Sequence, residues 1–227
     1  FGAELGQLFQ GSVDGDRFLV GDVVLDHEPA IVVDVAGQPS GLGFLPNGDL
    51  LISSMVDQKL LCFSNGALSR YADLSPYVRH HCNDMIVLSN GRAYVGNFGF
   101  DPYSEEPRTT TLVKIEPDGS AGIVAEDMAF PNGMATLDDE RILIVAESVA
   151  QQLTAIDIAP DGSLSNRRIL ARTPECQPDG ICIDADGNIL VTTMTCNKLV
   201  TFAPDGTLLR SDTFDTHLWA VAVGGGA

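Results

Sequence analysis

The chain has 227 residues, and its 13 Lys and Arg stand against 31 Asp and Glu, which gives a formal net charge of -18. An excess of negative charge repels phosphate backbones and anionic lipid headgroups, so nucleic acid and membranes are poor partners for this protein. Hydrophobic residues make up 44% of the chain and charged residues 19%. That composition is typical of a chain with a packed core and excludes wholesale disorder.

The cysteines and the N-terminus indicate the cellular compartment in which the protein is expected. The sequence contains Cys62, Cys82, Cys176, Cys182 and Cys196, an odd number with no C-x-x-C pair. This pattern predicts neither a zinc knot nor a disulfide framework, and it favours a reducing compartment. No run approaches the length of a membrane-spanning segment, and the first residues, FGAELGQLFQ, do not resemble a signal peptide. We therefore expect a cytoplasmic protein.

In chain order, the first strand signal is VDGDRFLVGD at 13–22, which resembles the turn and second strand of a repeat. Four segments then align with one another without gaps: QPSGLGFLPNGDLLIS (38–53), HCNDMIVLSNGRAYVG (81–96), FPNGMATLDDERILIV (130–145) and QPDGICIDADGNILVT (177–192). Each has a short apolar strand, a turn built on Asn, Asp or Gly, and a second apolar strand. This pattern predicts a β-hairpin in each repeat.

Each hairpin is followed by a third apolar segment and a further turn. The third segments are KLLCF (59–63), TLVKI (111–115), QLTAIDI (152–158) and KLVTF (198–202). Equivalent hairpin turns lie 43 to 49 residues apart. Repeats of this length with several short strands are typical of propeller blades. No segment has the 3.6-residue apolar period of a helix.

The two ends of the chain give incomplete blades. At the far end, LWAVAVGGGA (218–227) resembles the first strand of a sixth blade. An open propeller ring would expose sheet edges, so we expect segments to be absent from this sequence near residues 22–30 and beyond Ala227. The sequence predicts an all-β fold, a six-bladed β-propeller with four-stranded antiparallel blades around a central channel, and one domain over residues 1–227.

The repeat places four polar residues at one register. The position seven residues before each hairpin turn is occupied by Ser40, Asn83, Asn132 and Asp179. Matching positions on the innermost strands should form a ring at the mouth of the channel, where their oxygen atoms suit calcium or magnesium. Asn or Asp before Gly is also ordinary turn chemistry, but the shared register favours a metal or polar-ligand site. Glu4 is the carboxylate that the first blade would contribute.

Several motifs carry a family resemblance: CNDM, YVGNFGFD, AFPNGMA, LIVAES, LSNRR and QPDGICIDADG. They resemble the senescence marker protein/gluconolactonase family of six-bladed β-propeller hydrolases, which is related to diisopropyl fluorophosphatase-like lactonases. The resemblance implies one divalent metal, bound by Glu4, Asn132 and Asp179. It also implies that Asn83 completes the metal shell or binds substrate. Calcium is the metal we expect, with zinc, magnesium and manganese as alternatives.

The interpretation of function follows from this resemblance. A divalent ion can polarise a lactone carbonyl, and we expect Asp179 to act as general base on water while Asn83 orients the carbonyl. The predicted activity is metal-dependent hydrolysis of a small-molecule lactone or ester. One alternative is a phosphotriesterase or esterase that uses the same site, with Asp179 as nucleophile. Another is a non-catalytic propeller that binds a partner and holds a structural metal.

The residues at the ends of the second strands are predicted to form the wall of the pocket. They are Met55, Phe98, Ser148 and Met194, although Met and Phe are more often core residues than substrate contacts. His81 stands where the sugar-lactonase members of the family have Arg, and we expect it to contact substrate. An apolar wall without that Arg predicts a more hydrophobic lactone or ester than gluconolactone.

Three further residues have alternative interpretations. His80, like His81, is either a second acid/base group or a solvated loop residue. His217 precedes the last predicted strand and could face the pocket, while Glu147 is interpreted as a carboxylate that packs between blades.

Overall fold

A computed structural model describes residues 13–14, 17–20 and 30–223. Within these ranges the chain forms 19 β-strands and no α-helix, so the protein is all-β as predicted. None of the described segments is a helix that could cross a membrane. The strands are β1 (Val13–Asp14), β2 (Arg17–Val20), β3 (Ala30–Asp34), β4 (Pro39–Phe44), β5 (Leu50–Ser54), β6 (Lys59–Ser64), β7 (Ala67–Asp73), β8 (Cys82–Val87), β9 (Ala93–Asn97), β10 (Thr110–Ile115), β11 (Ala121–Met128), β12 (Pro131–Leu137), β13 (Ile142–Glu147), β14 (Gln152–Ile158), β15 (Leu164–Arg172), β16 (Pro178–Ile183), β17 (Ile189–Thr193), β18 (Lys198–Phe202) and β19 (Leu208–Thr213).

Sixteen of these strands form four sheets, each of four antiparallel strands in chain order. We call them blade I (β4–β7), blade II (β8–β11), blade III (β12–β15) and blade IV (β16–β19). Strands β1–β3 form a three-stranded sheet. The four hairpins predicted from the aligned repeats are the first two strands of blades I to IV, and the predicted third segments are their third strands.

Turn chemistry explains where the hairpins reverse. In blade I, Asn47 Oδ1 accepts a hydrogen bond from the Asp49 backbone nitrogen at 3.1 Å, and Gly48 follows with φ at 89°. A left-handed backbone suits glycine because it has no Cβ. Blade III lacks this glycine, and Asp138, Asp139 and Glu140 take left-handed φ values instead. The third hairpin therefore turns without the glycine that marks the hairpin turns of the other repeats.

The first strands of the four blades, β4, β8, β12 and β16, lie side by side. Glycines permit this approach: a Cβ on Gly41 would collide with the Met85 backbone nitrogen, and one on Gly133 with the Asp179 carbonyl. The blades thus meet through their main chains along this inner edge.

The segment predicted to begin a sixth blade, 218–227, is described as far as Val223. Gly180 donates its backbone N–H to the Trp219 carbonyl at 3.0 Å, and a Cβ on Gly180 would lie 2.7 Å from Ala220 Cα. This segment therefore runs beside β16 in the way the inner strands of the blades run beside one another. The total of six blades stays a prediction.

The hydrophobic core consists of layers between neighbouring blades. Successive side chains of a strand point to opposite faces of its sheet, so each blade contributes to two layers. In blade IV, for example, Val191 and Val200 pack on blade III. Fully buried representatives are Leu51, Leu60, Val95 and Val113 between blades I and II, Tyr94, Leu112, Leu143 and Val145 between blades II and III, and Ile144, Leu153, Ile189 and Val191 between blades III and IV.

One prediction about the cysteines is wrong. Cys176 and Cys196 form a disulfide with Cα atoms 5.5 Å apart, while Cys62, Cys82 and Cys182 are free. The pair joins the segment before β16 to the turn between β17 and β18. The two cysteines are 20 residues apart in sequence, and only the folding of β16 against β17 brings them together.

Candidate functional site

The four predicted ring residues occupy equivalent places in the fold. Ser40, Asn83, Asn132 and Asp179 are each the second residue of the innermost strand of a blade. Because these strands lie side by side, the four residues lie at one end of the inner surface. Asn83, Asn132 and Asp179 are buried, with 4 to 7% of each residue exposed.

A bulge interrupts the pairing of each inner strand at this level. In blade I the ladder between β4 and β5 shifts register between Pro39 and Leu42, and the same shift occurs at the start of β8, β12 and β16. A bulge bends a strand and re-aims its side chains, and bulges are frequent beside functional sites. In all four blades the ring residue and the residue after it lie inside this irregularity.

Hydrogen bonds within blade III and between blades hold the two asparagines. The Asn83 amide nitrogen donates to the Pro131 carbonyl at 3.1 Å, and the Asn132 amide nitrogen donates to Ser148 Oγ at 3.2 Å. Ser148 Oγ in turn donates to the Pro178 carbonyl at 2.7 Å. Each amide therefore donates one N–H within the protein, which fixes the side chain and leaves its amide oxygen free to bind a cation or to accept a hydrogen bond.

Two carboxylates interact across the site. Burial raises the pKa of Asp179 to about 8; the nearby negative charge of Asp84 adds to this, and a hydrogen bond from Asn132 opposes it. Burial likewise raises the pKa of Asp84 to about 6, opposed by a hydrogen bond from Ser40 Oγ, which lies 3.4 Å from Asp84 Oδ1. Two neighbouring carboxylates of like charge, one buried and one half-buried, favour protonation unless a cation is present.

Sequence reasoning missed Asp84, although the repeat contains a signal for it. The residue that follows each ring residue is Gly41 in blade I, Gly133 in blade III and Gly180 in blade IV. Blade II has Asp84 at this register. A carboxylate at a position where the other repeats require glycine is the pattern that could have identified it.

The donor set fits a hard cation. Among the described residues, no three or more His, Cys, Asp or Glu side chains form a group that could hold a metal. The ring offers the amide oxygens of Asn83 and Asn132 and the carboxylate of Asp179, and oxygen ligands of this kind suit calcium or magnesium. Zinc prefers nitrogen and sulfur, which the ring does not supply. Glu4, the fourth predicted ligand, lies outside the described residues.

Five rings form what we call the aromatic cluster: His80, His81, Phe98, Phe100 and Phe130. Phe98 and Phe130 are stacked with centroids 4.5 Å apart and an interplanar angle of 26°. His81 lies 5.7 Å from Phe98. Phe130 has φ at 62°, a left-handed conformation that costs a residue with a Cβ about 1–2 kcal/mol.

The predicted substrate-binding residues lie at the same end of the blades. The backbone nitrogen of Met55 donates to the Gln38 carbonyl, and that of Met194 donates to the Gln177 carbonyl, each at 2.9 Å. These bonds place both methionines beside the segments that lead into β4 and β16. Both side chains are half-buried.

The histidines differ in environment. Burial lowers the pKa of His81, the charge of His80 lowers it further, and Asp101 opposes both. His81 is therefore neutral near pH 7. His217 is exposed, and its ring centroid lies 6.0 Å from that of Trp219.

Glu147 packs between blades, as predicted. Its side chain is fully buried and accepts hydrogen bonds from the Ala129 backbone nitrogen at 2.6 Å and from Thr154 Oγ1 at 2.5 Å. Arg167, from the LSNRR motif, pairs with it and also donates to the carbonyls of Glu126 and Asp127. This network fixes the segment that leads to Phe130 and Asn132.

Comparison with known proteins identifies relatives of this chain. Over 138 residues the chain is 33% identical to diisopropyl-fluorophosphatase from Loligo vulgaris, covering 55% of this chain and 44% of that protein. Over 151 residues it is 26% identical to L-arabinolactonase from Azospirillum brasilense, covering 63% of this chain and 48% of that protein. The chain thus spans about half the length of the curated relatives it matches.

The fold and the family model agree. The structure of a gluconolactonase from Xanthomonas campestris superimposes with a TM-score of 0.77 at 22% identity, covering 93% of this chain and 76% of that chain. At this identity the likeness shows a shared fold. The family model described as SMP-30/Gluconolactonase/LRE-like region matches residues 16–227, and the chain belongs to that family.

Proposed function

We propose that the protein is a metal-dependent hydrolase that opens a lactone or a related carboxylic ester at the ring of Asn83, Asn132 and Asp179. The observation that carries this proposal is the convergence of oxygen donors from blades II, III and IV, next to a second carboxylate, the half-buried Asp84. Membership of a family that includes gluconolactonases, and a relative that is an L-arabinolactonase, support a lactone substrate.

The residues divide between holding the ion and moving protons. Asn83, Asn132 and Asp179 would hold the ion, with Glu4 as the expected further ligand. When bound, a calcium-class ion polarises the substrate carbonyl and offsets the negative charge that develops on its oxygen. Asn83 can also orient that carbonyl with the second N–H of its amide, because the first N–H is bound to the Pro131 carbonyl and fixes the side chain.

Proton transfer needs a carboxylate that can take up and return a proton near neutral pH. Asp179 is the predicted general base, but a carboxylate that binds a metal is a weak base. Asp84, whose pKa burial raises to about 6, lies close enough to interact with Asp179 and can share this role. The attacking water loses a proton to a carboxylate and bonds to the carbonyl carbon. The ring carbon–oxygen bond then breaks, and the departing oxygen takes the proton to give a hydroxy acid.

A second candidate is hydrolysis of phosphorus esters at the same ring. The specific observation in its favour is the 33% identity to diisopropyl-fluorophosphatase. In that reaction Asp179 would act as nucleophile on phosphorus instead of as base on water. The two reactions share the same residues, so they differ in substrate preference.

The experiment measures hydrolysis of a panel of γ- and δ-lactones, aryl esters and phosphotriesters with calcium, magnesium, manganese, zinc or EDTA. We compare the unmodified chain with Asp179→Asn and with the control Asp157→Asn, whose carboxylate pairs with Arg168 on the surface. Lactone turnover that EDTA and Asp179→Asn abolish, and Asp157→Asn retains, supports the proposal. Preference for phosphotriesters favours the second candidate, and metal binding without any turnover contradicts both.

A further inference from the structure

Two members of the aromatic cluster adjoin the oxygen ring in sequence and in space. His81 and Phe130 each lie two residues before a ring residue, Asn83 and Asn132. Phe98 joins them because its backbone nitrogen donates to the His81 carbonyl at 2.9 Å. The cluster therefore sits at the end of blades II and III that carries the proposed catalytic groups.

The cluster offers partly open rings on a rigid base. Phe98 and Phe130 are half-buried, whereas Phe100 is buried with 4% of its surface exposed and packs against Phe130 with centroids 5.8 Å apart. Gly99, with φ at 76°, turns the chain between Phe98 and Phe100, and a Cβ there would collide with Thr110. Phe100 thus supports a stacked pair whose remaining surface is open to a ligand.

The charges around the cluster do not suit an anionic substrate. The segment that follows Phe100 carries Asp101, Glu105 and Glu106. Arg79, a cation next to the cluster in sequence, pairs with Glu105 at 3.8 Å, so the acidic charge remains in excess. Asp101 is close enough to interact electrostatically with His81. Anions are repelled by this segment, and stacked Phe rings give hydroxyl groups nothing to bond with. A neutral, flat, apolar group fits best.

We propose that Phe98 and Phe130, backed by Phe100 and flanked by His81, form an aromatic subsite that selects neutral lactones or esters with an aryl group fused to the lactone ring or attached to the ester oxygen. This inference rests on the proposed function, because it names the substrate class of the same site. Aromatic groups prefer offset-stacked or edge-to-face contacts with one another, and the open surface of the stacked pair permits both. The residues are specificity determinants and take no part in bond breaking.

The test measures binding without turnover. Two lactams that resist hydrolysis share a six-membered ring: piperidinone, and dihydroquinolinone, which adds a fused benzene. We expect the calcium-loaded chain to bind dihydroquinolinone at least about tenfold more tightly by calorimetry, because apolar contacts of this size discriminate by roughly 10–200-fold. In Phe98→Leu and in Phe130→Leu the affinities for the two lactams should become similar. Tyr103→Leu, which removes a ring that is 97% exposed in the same loop, should leave the preference unchanged.

Equal affinity for the two lactams in the unmodified chain overturns the proposal. So does a preference that survives in folded Phe98→Leu or is lost equally in Tyr103→Leu. Hydrolysis of dihydrocoumarin and δ-valerolactone separates this inference from the function it rests on. Turnover of both lactones without any lactam preference removes the aromatic subsite and leaves the hydrolase. A lactam preference without turnover of any lactone removes the hydrolase and leaves the aromatic subsite.

Discussion

The Nη2 atom of Arg167 lies 2.9 Å from each carboxylate oxygen of Glu147, and that carboxylate is fully buried between blades II and III. A buried charge is tolerated only when its partners remain, so removal of one member of such a pair costs about 3–5 kcal/mol. The pair also fixes Ala129, three residues before Asn132. The Arg167–Glu147 pair therefore contributes both to the stability of the protein and to the position of the candidate site.

Arg167→Met should lower the free energy of unfolding by about 3 kcal/mol, because it leaves the Glu147 carboxylate buried without its cation. The matched control is Arg168→Met, whose partner Asp157 is 41% exposed in its side chain. Exposed pairs contribute less than about 1 kcal/mol. Urea denaturation of the three proteins measures both changes, and equal losses in the two variants would contradict a structural role for the buried pair.

Gly133→Ala should weaken both the fold and the site. The added Cβ would collide with the Asp179 carbonyl and force blades III and IV apart, which we expect to cost about 1–3 kcal/mol, as overpacking does. Calcium affinity measured by calorimetry should fall with it. Gly122→Ala, in β11, is the control because a Cβ there meets nothing within 4 Å. An unchanged calcium affinity in folded Gly133→Ala would show that inter-blade spacing does not govern the site.

Without metal, stability should decrease as the pH rises from about 5 to about 8. The folded-state pKa values of Asp84 and Asp179, about 6 and about 8, lie above the unfolded value of 3.8. The folded protein therefore binds more protons in this range, and their loss destabilises it. Thermal unfolding in EDTA at both pH values measures the decrease, and calcium should reverse it at the higher pH. Asp179→Asn should flatten the dependence; a slope as steep as in the unmodified chain would refute this assignment.

Three thiols should be unreactive in the native protein. Burial raises the pKa of Cys82 to about 12 and that of Cys182 to about 11, and it also raises the pKa of Cys62. Because the thiolate is the reactive form, none should react with an aromatic disulfide reagent near pH 7. In denaturant without reductant three thiols should react, and after reduction five, because Cys176 and Cys196 form a disulfide. Five reactive thiols before reduction would exclude that bond.

Much of the fold could be predicted because each blade repeats one pattern. Apolar alternation and turn residues specified the hairpins, and the shared register identified Asn83, Asn132 and Asp179. The bulges that re-aim these side chains could not be predicted, because they depend on how neighbouring strands pair. The Cys176–Cys196 bond was missed for a similar reason, since tertiary folding brings the two residues together. Asp84 was missed because alignment of the repeats shows the residues that they share. Asp84 is instead marked by its difference from the glycine that the other three repeats have at this position.

The glycines along the inner edge have a consequence for how this protein can diversify. Main-chain contacts at Gly41, Gly133 and Gly180 set how closely the innermost strands of neighbouring blades approach one another. Substitutions at the rim, such as those in the aromatic cluster, should therefore alter which molecules enter without changing the spacing of the oxygen atoms in the proposed ring. Substrate recognition and the geometry of the proposed metal site are therefore separable in this architecture, so evolution or engineering can vary the first while preserving the second.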